Sequence, residues 1–444
     1  MRNYKGLFVR IGGTSLLAGA LVLSLTGCGT SASTEETSRE QVVIEASADD
    51  ASATDEAAAT TGETATTTQA TAEAEASVAV AEADDDTVAS ESDLFTTRDL
   101  AQVADTEDAT KITLTSGEDV QITQEGVYVL SGEATDVTIT IEATDSDKVQ
   151  LVLNGVSITN GDFPTIYVKS ADKVFVTTAE GTTNTLQVTG TFAADGETNT
   201  DAVIFSRDDL VLNGLGTLQV SSTDNGISCK DDLKVTGGSY VISSAADALE
   251  ANDSILVADG SFSITSDKDG LHAENDEDDT QGSIYIQDGS FEIKAASDAI
   301  QATTTLTVDG GTFTLSAAEA LEATIVQVNG GDMNIYATDD AINGSYKSAS
   351  VGTPTVEITG GSMVIEMAQG DTDAIDVNGN LVISGGQIDI TAQSAFDFDG
   401  TVSFTSGTVT VNGTQLSEIT NSMMGGGMGG GHGGPMSGDA GIQG

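Results

Sequence analysis

The chain has 444 residues, with 70 acidic against 15 basic side chains and a formal charge of −55 at pH 7. That balance argues against nucleic acid or an anionic membrane surface as a direct partner, and favours cations or acidic ligands held through cations. Glycine is abundant at 50, proline rare at 3 and tryptophan absent, and no long amphipathic helical pattern occurs, so an all-β molecule is expected.

Residues 1–28 read as a secretory leader. Arg2, Lys5 and Arg10 give the positive start and residues 16–25 the apolar stretch. The leader ends in Leu25-Thr26-Gly27-Cys28, which resembles the bacterial lipobox, so Cys28 is the expected lipidation site. This implies an anchor on the extracellular face of the cell membrane. With Cys28 so used, Cys229 has no partner within the mature chain and is expected in or beside the core. Residues 29–97 are alanine, threonine, serine and acid, too poor in apolar surface to fold. They read as a disordered tether, long enough to cross a thick wall, which favours a Gram-positive cell.

A domain is expected over residues 98–420. Its first strands carry Ile112 and Leu114, Val127 and Val129, then Val149 to Leu153 before the turn at Asn154-Gly155. From Asp201 a short phrase repeats: acid, small residue, aliphatic. It stands at Asp247-Ala248-Leu249, Asp269-Gly270-Leu271, Asp298-Ala299-Ile300, Glu319-Ala320-Leu321, Asp340-Ala341-Ile342 and Asp373-Ala374-Ile375. The usual step of about 21–24 residues is a solenoid period. Each copy adds a strand such as Leu233/Val235, a glycine corner such as Gly237-Gly238, and a second alternating strand such as Tyr240/Ile242. This predicts a right-handed parallel β-helix, a β-solenoid, with coils about 4.8 Å apart. Tyr240, Phe262, Phe291 and Phe313 are then expected to stack as one buried column. Two steps are longer, which predicts loops at 272–279 and 344–354. Residues 421–444, rich in glycine and methionine, are expected to be disordered. His432 among the methionines is an incomplete copper set.

Two outward acidic columns follow from the repeat. One is the corner column: Asp247, Asp269, Asp298, Glu319, Asp340 and Asp373. The other lies three residues on: Glu250, His272, Gln301, Glu322, Asn343, Asp376 and Asp397. Carboxylates about 5 Å apart repel by roughly 3 kcal/mol at an effective dielectric near 20. Either some take up protons or a cation sits among them. Calcium suits an all-oxygen, irregular set, and zinc does not suit a chain with two histidines. The expected calcium ligands are therefore drawn from Asp247, Glu250, Asp269, Glu274, Asp298, Glu319, Glu322, Asp340, Asp373 and Asp376. Against this stands a plainer reading, in which corner aspartates hydrogen-bond nearby backbone and hold no ion. His272 reads as an exposed loop residue.

The phrases Val149-Gln150-Leu151-Val152-Leu153-Asn154-Gly155-Val156 and Asp269-Gly270-Leu271-His272-Ala273-Glu274-Asn275, with the Asp-Ala-Ile corners, resemble the clostridial carbohydrate-binding parallel β-helix family. Its members are surface proteins related in shape to calcium-dependent pectate lyases. The resemblance covers about residues 110–415 and implies bound calcium and binding of cellulose or polygalacturonate. The functional expectation is a monomeric, non-catalytic, calcium-dependent protein that binds acidic (uronate) polysaccharide or another plant cell-wall glycan. Cellulose is the weaker ligand, because aromatic platforms are scarce. A pectate-type lyase is the first alternative. It would need Lys268 or Lys230 as base, yet Lys268 between Asp267 and Asp269 is expected to stay charged. A passive adhesin with calcium for rigidity is the second.

Overall fold

The computed structural model describes residues 40–43, 94–370 and 372–422. Cys28, most of the expected tether, and the tail with His432 lie outside the described residues. So does Asp371.

The described strands form two sheets of 13 and 24 strands. One turn of the chain contributes one strand to the first sheet and two to the second. Leu249–Ala251, Ser254–Val257 and Ser261–Ser266 make one such turn, and Leu271–Ala273, Ser283–Ile286 and Ser290–Ala295 the next. Equivalent residues pair in parallel and in register: Leu249 with Leu271, Ile255 with Ile284, Phe262 with Phe291. The result is a β-solenoid. The loops expected at 272–279 and 344–354 leave between Leu271–Ala273 and Ser283–Ile286, and between Ile342–Gly344 and Thr355–Ile358.

Period-two alternation fills the core. Along Ser261–Ser266, Phe262 and Ile264 point inward while Ser261, Ser263 and Thr265 face solvent. Tyr240, Phe262, Phe291 and Phe313 stack with centroids 5.2, 4.7 and 4.8 Å apart, and the last two pairs lie within 4° of parallel. The corner before each ring needs glycine. Gly289 and Gly311 have φ of 134° and 103°, and a Cβ there would meet the following phenylalanine and the carbonyl of the coil above at 3.0–3.3 Å. Cys229 is fully buried in the core.

Both ends depart from the repeat. At the C-terminal end Thr408–Val411 pairs antiparallel with Thr414–Gln415. The hairpin turns on Asn412 and Gly413, both with positive φ. At the other end Glu40–Val43 pairs in parallel with Glu118–Ile122. This strand falls inside the stretch expected to be unstructured, at its one run of β-branched aliphatics, Val42-Val43-Ile44. Residues 96–102, which straddle the expected border between tether and domain, strap the outer face of the second sheet. Asp99 is wholly buried there, with Lys173 at 3.5 Å and Lys234 at 3.6 Å. Asn213 donates to the Asp99 and Ala101 carbonyls, and Gln102 to that of Thr236.

Candidate functional site

Both acidic columns run along the outer side of the first sheet. The inner column reads Phe205, Ser228, Glu250, His272, Gln301, Glu322, Asn343, Asp376, Asp397, one residue per coil. Parallel pairing and strand parity put all of these side chains on one face.

The corner column works as a ladder. Asn225 Oδ1 accepts the Asp247 amide at 2.9 Å, Asp247 Oδ1 the Asp269 amide at 3.0 Å, and Asp269 Oδ1 the Asp298 amide at 2.9 Å. Asp340 does the same for Asp373 at 3.1 Å. Asp247, Asp269 and Asp340 thus each use one oxygen to satisfy a backbone donor where the next strand begins, and keep the other oxygen for the face. The structural and ligand-binding readings of these aspartates are therefore compatible.

Two clusters differ in how that second oxygen is served. In the first, Asp247 Oδ2 takes Lys268 Nζ at 2.8 Å and His272 Nδ1 at 3.1 Å. Lys268 and His272 also approach Asp269 at 3.8 and 3.7 Å. Burial alone would raise the Asp247 carboxyl, but the hydrogen bonds from His272 and Lys268 outweigh it and hold it at about 2. Burial opposes charge on His272 and Lys268 too, yet their bonds to Asp247 raise both. His272 is not an exposed loop residue. It lies in Leu271–Ala273, 6% exposed, with Glu274 at 3.2 Å from Nε2. The long acidic loop after it hid its strand position from sequence reading. In this cluster the protein supplies its own cation, Lys268, with His272 as a second hydrogen-bond partner of Asp247.

The second cluster is under-compensated. Ligand atoms of Asp298, Glu319 and Glu322 lie within 4.8 Å of one another. Lys347, from the 344–354 insertion, reaches Glu322 at 2.7 Å. Asn343 donates to Glu319 at 2.9 Å and to Glu322 at 3.4 Å, and Ser345 to Glu322 at 2.8 Å. The Asn343 Oδ1 is buried without a hydrogen-bond partner. Burial, then the charges of Asp269 and Glu322, push Asp298 up to about 7. Burial and Glu322 push Glu319 up to about 8. Further along, burial lifts Asp340 to about 7 against the amide bond from Asp373. Burial, with Asp397 and Asp373, lifts Asp376 to about 6.

Of the other candidates, Glu250 pairs with Lys230 at 3.3 Å and accepts from Asn225, and Glu274 stays at the rim on His272. Asp373 accepts from Ser394. The two insertions meet where Ser348 and Ser350 donate to Asp279 at 2.6 Å. A third acidic group was missed: Asp209, Asp231 and Asp232, at the corner after the first sheet. Burial, then Asp209, Asp232 and Asp253, raises Asp231 to about 6. Its signal was present as Asp208-Asp209, Asp231-Asp232 and Asp253, one coil apart. Lys173 and Ser254 serve two of its members.

The chain resembles known proteins over much of this solenoid. Residues 116–371 match a family model described as carbohydrate-binding domain-containing protein. A protein of that description from Acetivibrio thermocellus is 37% identical over 130 residues, 29% of this chain and 46% of the relative. The match therefore spans about half of that relative's length. A solved structure, described as a polysaccharide lyase-like protein from C. thermocellum in a gadolinium derivative, is 29% identical and covers 50% of this chain and 92% of its own, with a TM-score of 0.44. With more than half of its length matched by the family model, the chain belongs to the carbohydrate-binding domain-containing protein family.

Proposed function

We propose that this protein is a non-catalytic, calcium-dependent module that binds acidic polysaccharide, uronate polymers above all, on a lipid-anchored right-handed β-helix at a bacterial surface. The observation that carries the reading is the Asp298–Glu319–Glu322 cluster. Three carboxylates within 4.8 Å share one lysine, and a buried amide oxygen beside them lacks a donor. All donor atoms are oxygens, as a hard divalent cation prefers. Asp298, Glu319, Glu322 and Asn343 would hold the ion, which would supply positive charge for a glycan carboxylate on a face that otherwise repels it. Family membership supports the glycan, and the lipobox-like Leu25-Thr26-Gly27-Cys28 supports the setting.

Catalysis by elimination finds little support. Lys268 is bonded to Asp247, which raises it, so it offers no free amine at neutral pH, and Lys230 is occupied by its pair with Glu250. The first cluster favours a structural role alongside binding, since Lys268 already pairs with Asp247 and His272 is hydrogen-bonded to it. The test is a calorimetric calcium titration together with pull-downs on polygalacturonate and cellulose, with and without chelator. Tight uronate binding lost on chelation is expected. Unchanged affinity under full chelation would overturn the reading.

A further inference from the structure

One region of this acidic molecule carries the opposite sign. Val168 pairs with Ser206 and Ser206 with Cys229. The residues that follow, Lys169, Arg207 and Lys230, therefore take the same place in three successive coils. Their backbone bonds extend the register, with the Arg207 amide donating to Val168 at 3.1 Å and that of Lys230 to Ser206 at 2.8 Å. Successive coils are about 4.8 Å apart. Three of the chain's 15 basic residues thus stand in one short ladder. It immediately precedes Glu250 and the acidic column.

Arg207 and Lys230 of the ladder border an open groove of about 490 Å³, whose other lining residues include Asn199, Asn252 and the carboxylates Asp201 and Glu277, within the ~300–1,000 Å³ range of ligand clefts. Lys169 is paired with Asp195 at 3.0 Å and Lys230 with Glu250 at 3.3 Å. Arg207 is exposed and has no ion pair among the described residues. Lys230 lies 5.7 Å over the ring of Phe205, which is buried beneath it. On the same strand face, two residues before Lys230, the Ser228 hydroxyl is wholly buried and has no hydrogen-bond partner. The Arg207 guanidinium acts on Asp195 and Asp208 at longer range but pairs closely with no carboxylate among the described residues, which leaves its donor fork open to an anion beside the groove. Its planar geometry fits a carboxylate through two parallel bonds.

We propose that Arg207 and Lys230 form a carboxylate-binding subsite that takes one hexuronate residue of the glycan directly, without a metal ion. This rests on the reading that the glycan is acidic, and it adds a second, metal-independent anchor upstream of the calcium cluster. The glycan would be held by Arg207 and Lys230 at one end and by the ion at the other.

The test measures galacturonate oligomer binding to the purified protein by calorimetry, in chelator and in calcium, for wild type, Arg207→Gln, Arg207→Lys and Glu322→Gln. Arg207 is exposed, so its variants leave the core intact, and thermal unfolding checks this. In chelator, wild type is expected to retain weak binding that Arg207→Gln weakens about tenfold, the scale of one lost charge-assisted contact. Arg207→Lys restores part of it, and Glu322→Gln abolishes the further gain that calcium gives. Cello-oligosaccharide binding should not respond to Arg207→Gln. Unchanged affinity in Arg207→Gln overturns the subsite, while loss of the calcium response in Glu322→Gln would still stand for the ion. Dextran sulfate bound as well as galacturonate in chelator overturns the carboxylate assignment. No uronate binding by wild type under either condition overturns both readings.

Discussion

Replacing Glu319 with glutamine should make the metal-free protein more stable at alkaline pH. The Glu319 carboxyl is pushed from 4.5 to about 8, first by burial and then by Glu322. The folded state therefore holds this proton more tightly than the unfolded state does. Stability falls as pH rises through the window from 4.5 to about 8, and the whole cost stands above it. The interval between those values corresponds to roughly 5 kcal/mol. A carboxylate that keeps part of its surface in water realises less, so about 2 kcal/mol is expected. The amide of the Glu319→Gln variant would keep the shape and could donate to Glu322 or Asp298 in place of the missing proton. Thermal unfolding at pH 8.5 in chelator should place the variant's Tm roughly 4 °C above wild type, with the difference gone at pH 4. Calcium at 100 times its Kd should stabilise wild type by about 2.7 kcal/mol and the variant by much less. A variant less stable than wild type at pH 8.5 in chelator, or a difference independent of pH, would refute the reasoning.

Other consequences can be checked separately. His272 is raised above 6.5 by its bond to Asp247, so NMR titration should find it charged beyond that pH, and Asp247→Asn should bring it down. The sign follows: the His272 contribution is fully present below pH 6.5 and is lost as pH rises through the folded value, while the Asp247 contribution is present above 3.8 and lost as pH falls toward about 2. Phe291→Ala removes a ring stacked at 4.7 and 4.8 Å on its neighbours and should cost about 3–5 kcal/mol in denaturant unfolding. Asp99→Ala leaves Lys173 and Lys234 without their shared buried partner. It should cost about 3 kcal/mol, and limited proteolysis should cut near residues 96–102 before the coils. Cys229, whose thiol is pushed up by burial, should not react with a disulfide reagent until the domain unfolds.

The solenoid was legible because a buried strand writes its parity and period into the sequence. Leu249, Leu271 and Ile300 mark one inward column, and Phe262 and Phe291 another, at spacings that survive the two insertions. The outward column from Glu250 to Asp397 was legible for the same reason. Partners brought in from other coils or loops were not. Lys347 reaches Glu322 from an insertion whose path has no period, and His272 looked like loop because the acids after it masked the end of its strand. The ladder of Lys169, Arg207 and Lys230 escaped because Lys169 precedes the phrase that starts at Asp201, and at Arg207 that phrase misleads by one residue, since Ala202 rather than Asp201 pairs with Asn225. The strap around Asp99 depends on contacts more than a hundred residues away along the chain, which no local pattern encodes.

Anomalous diffraction from crystals grown in calcium, recorded at a wavelength where calcium scatters anomalously, tests the ion itself. A peak among the carboxylates of Asp298, Glu319 and Glu322, with Lys347 turned away from Glu322, is the predicted result. A clean map there at saturating calcium, with the Lys347 ammonium still on Glu322, would contradict it.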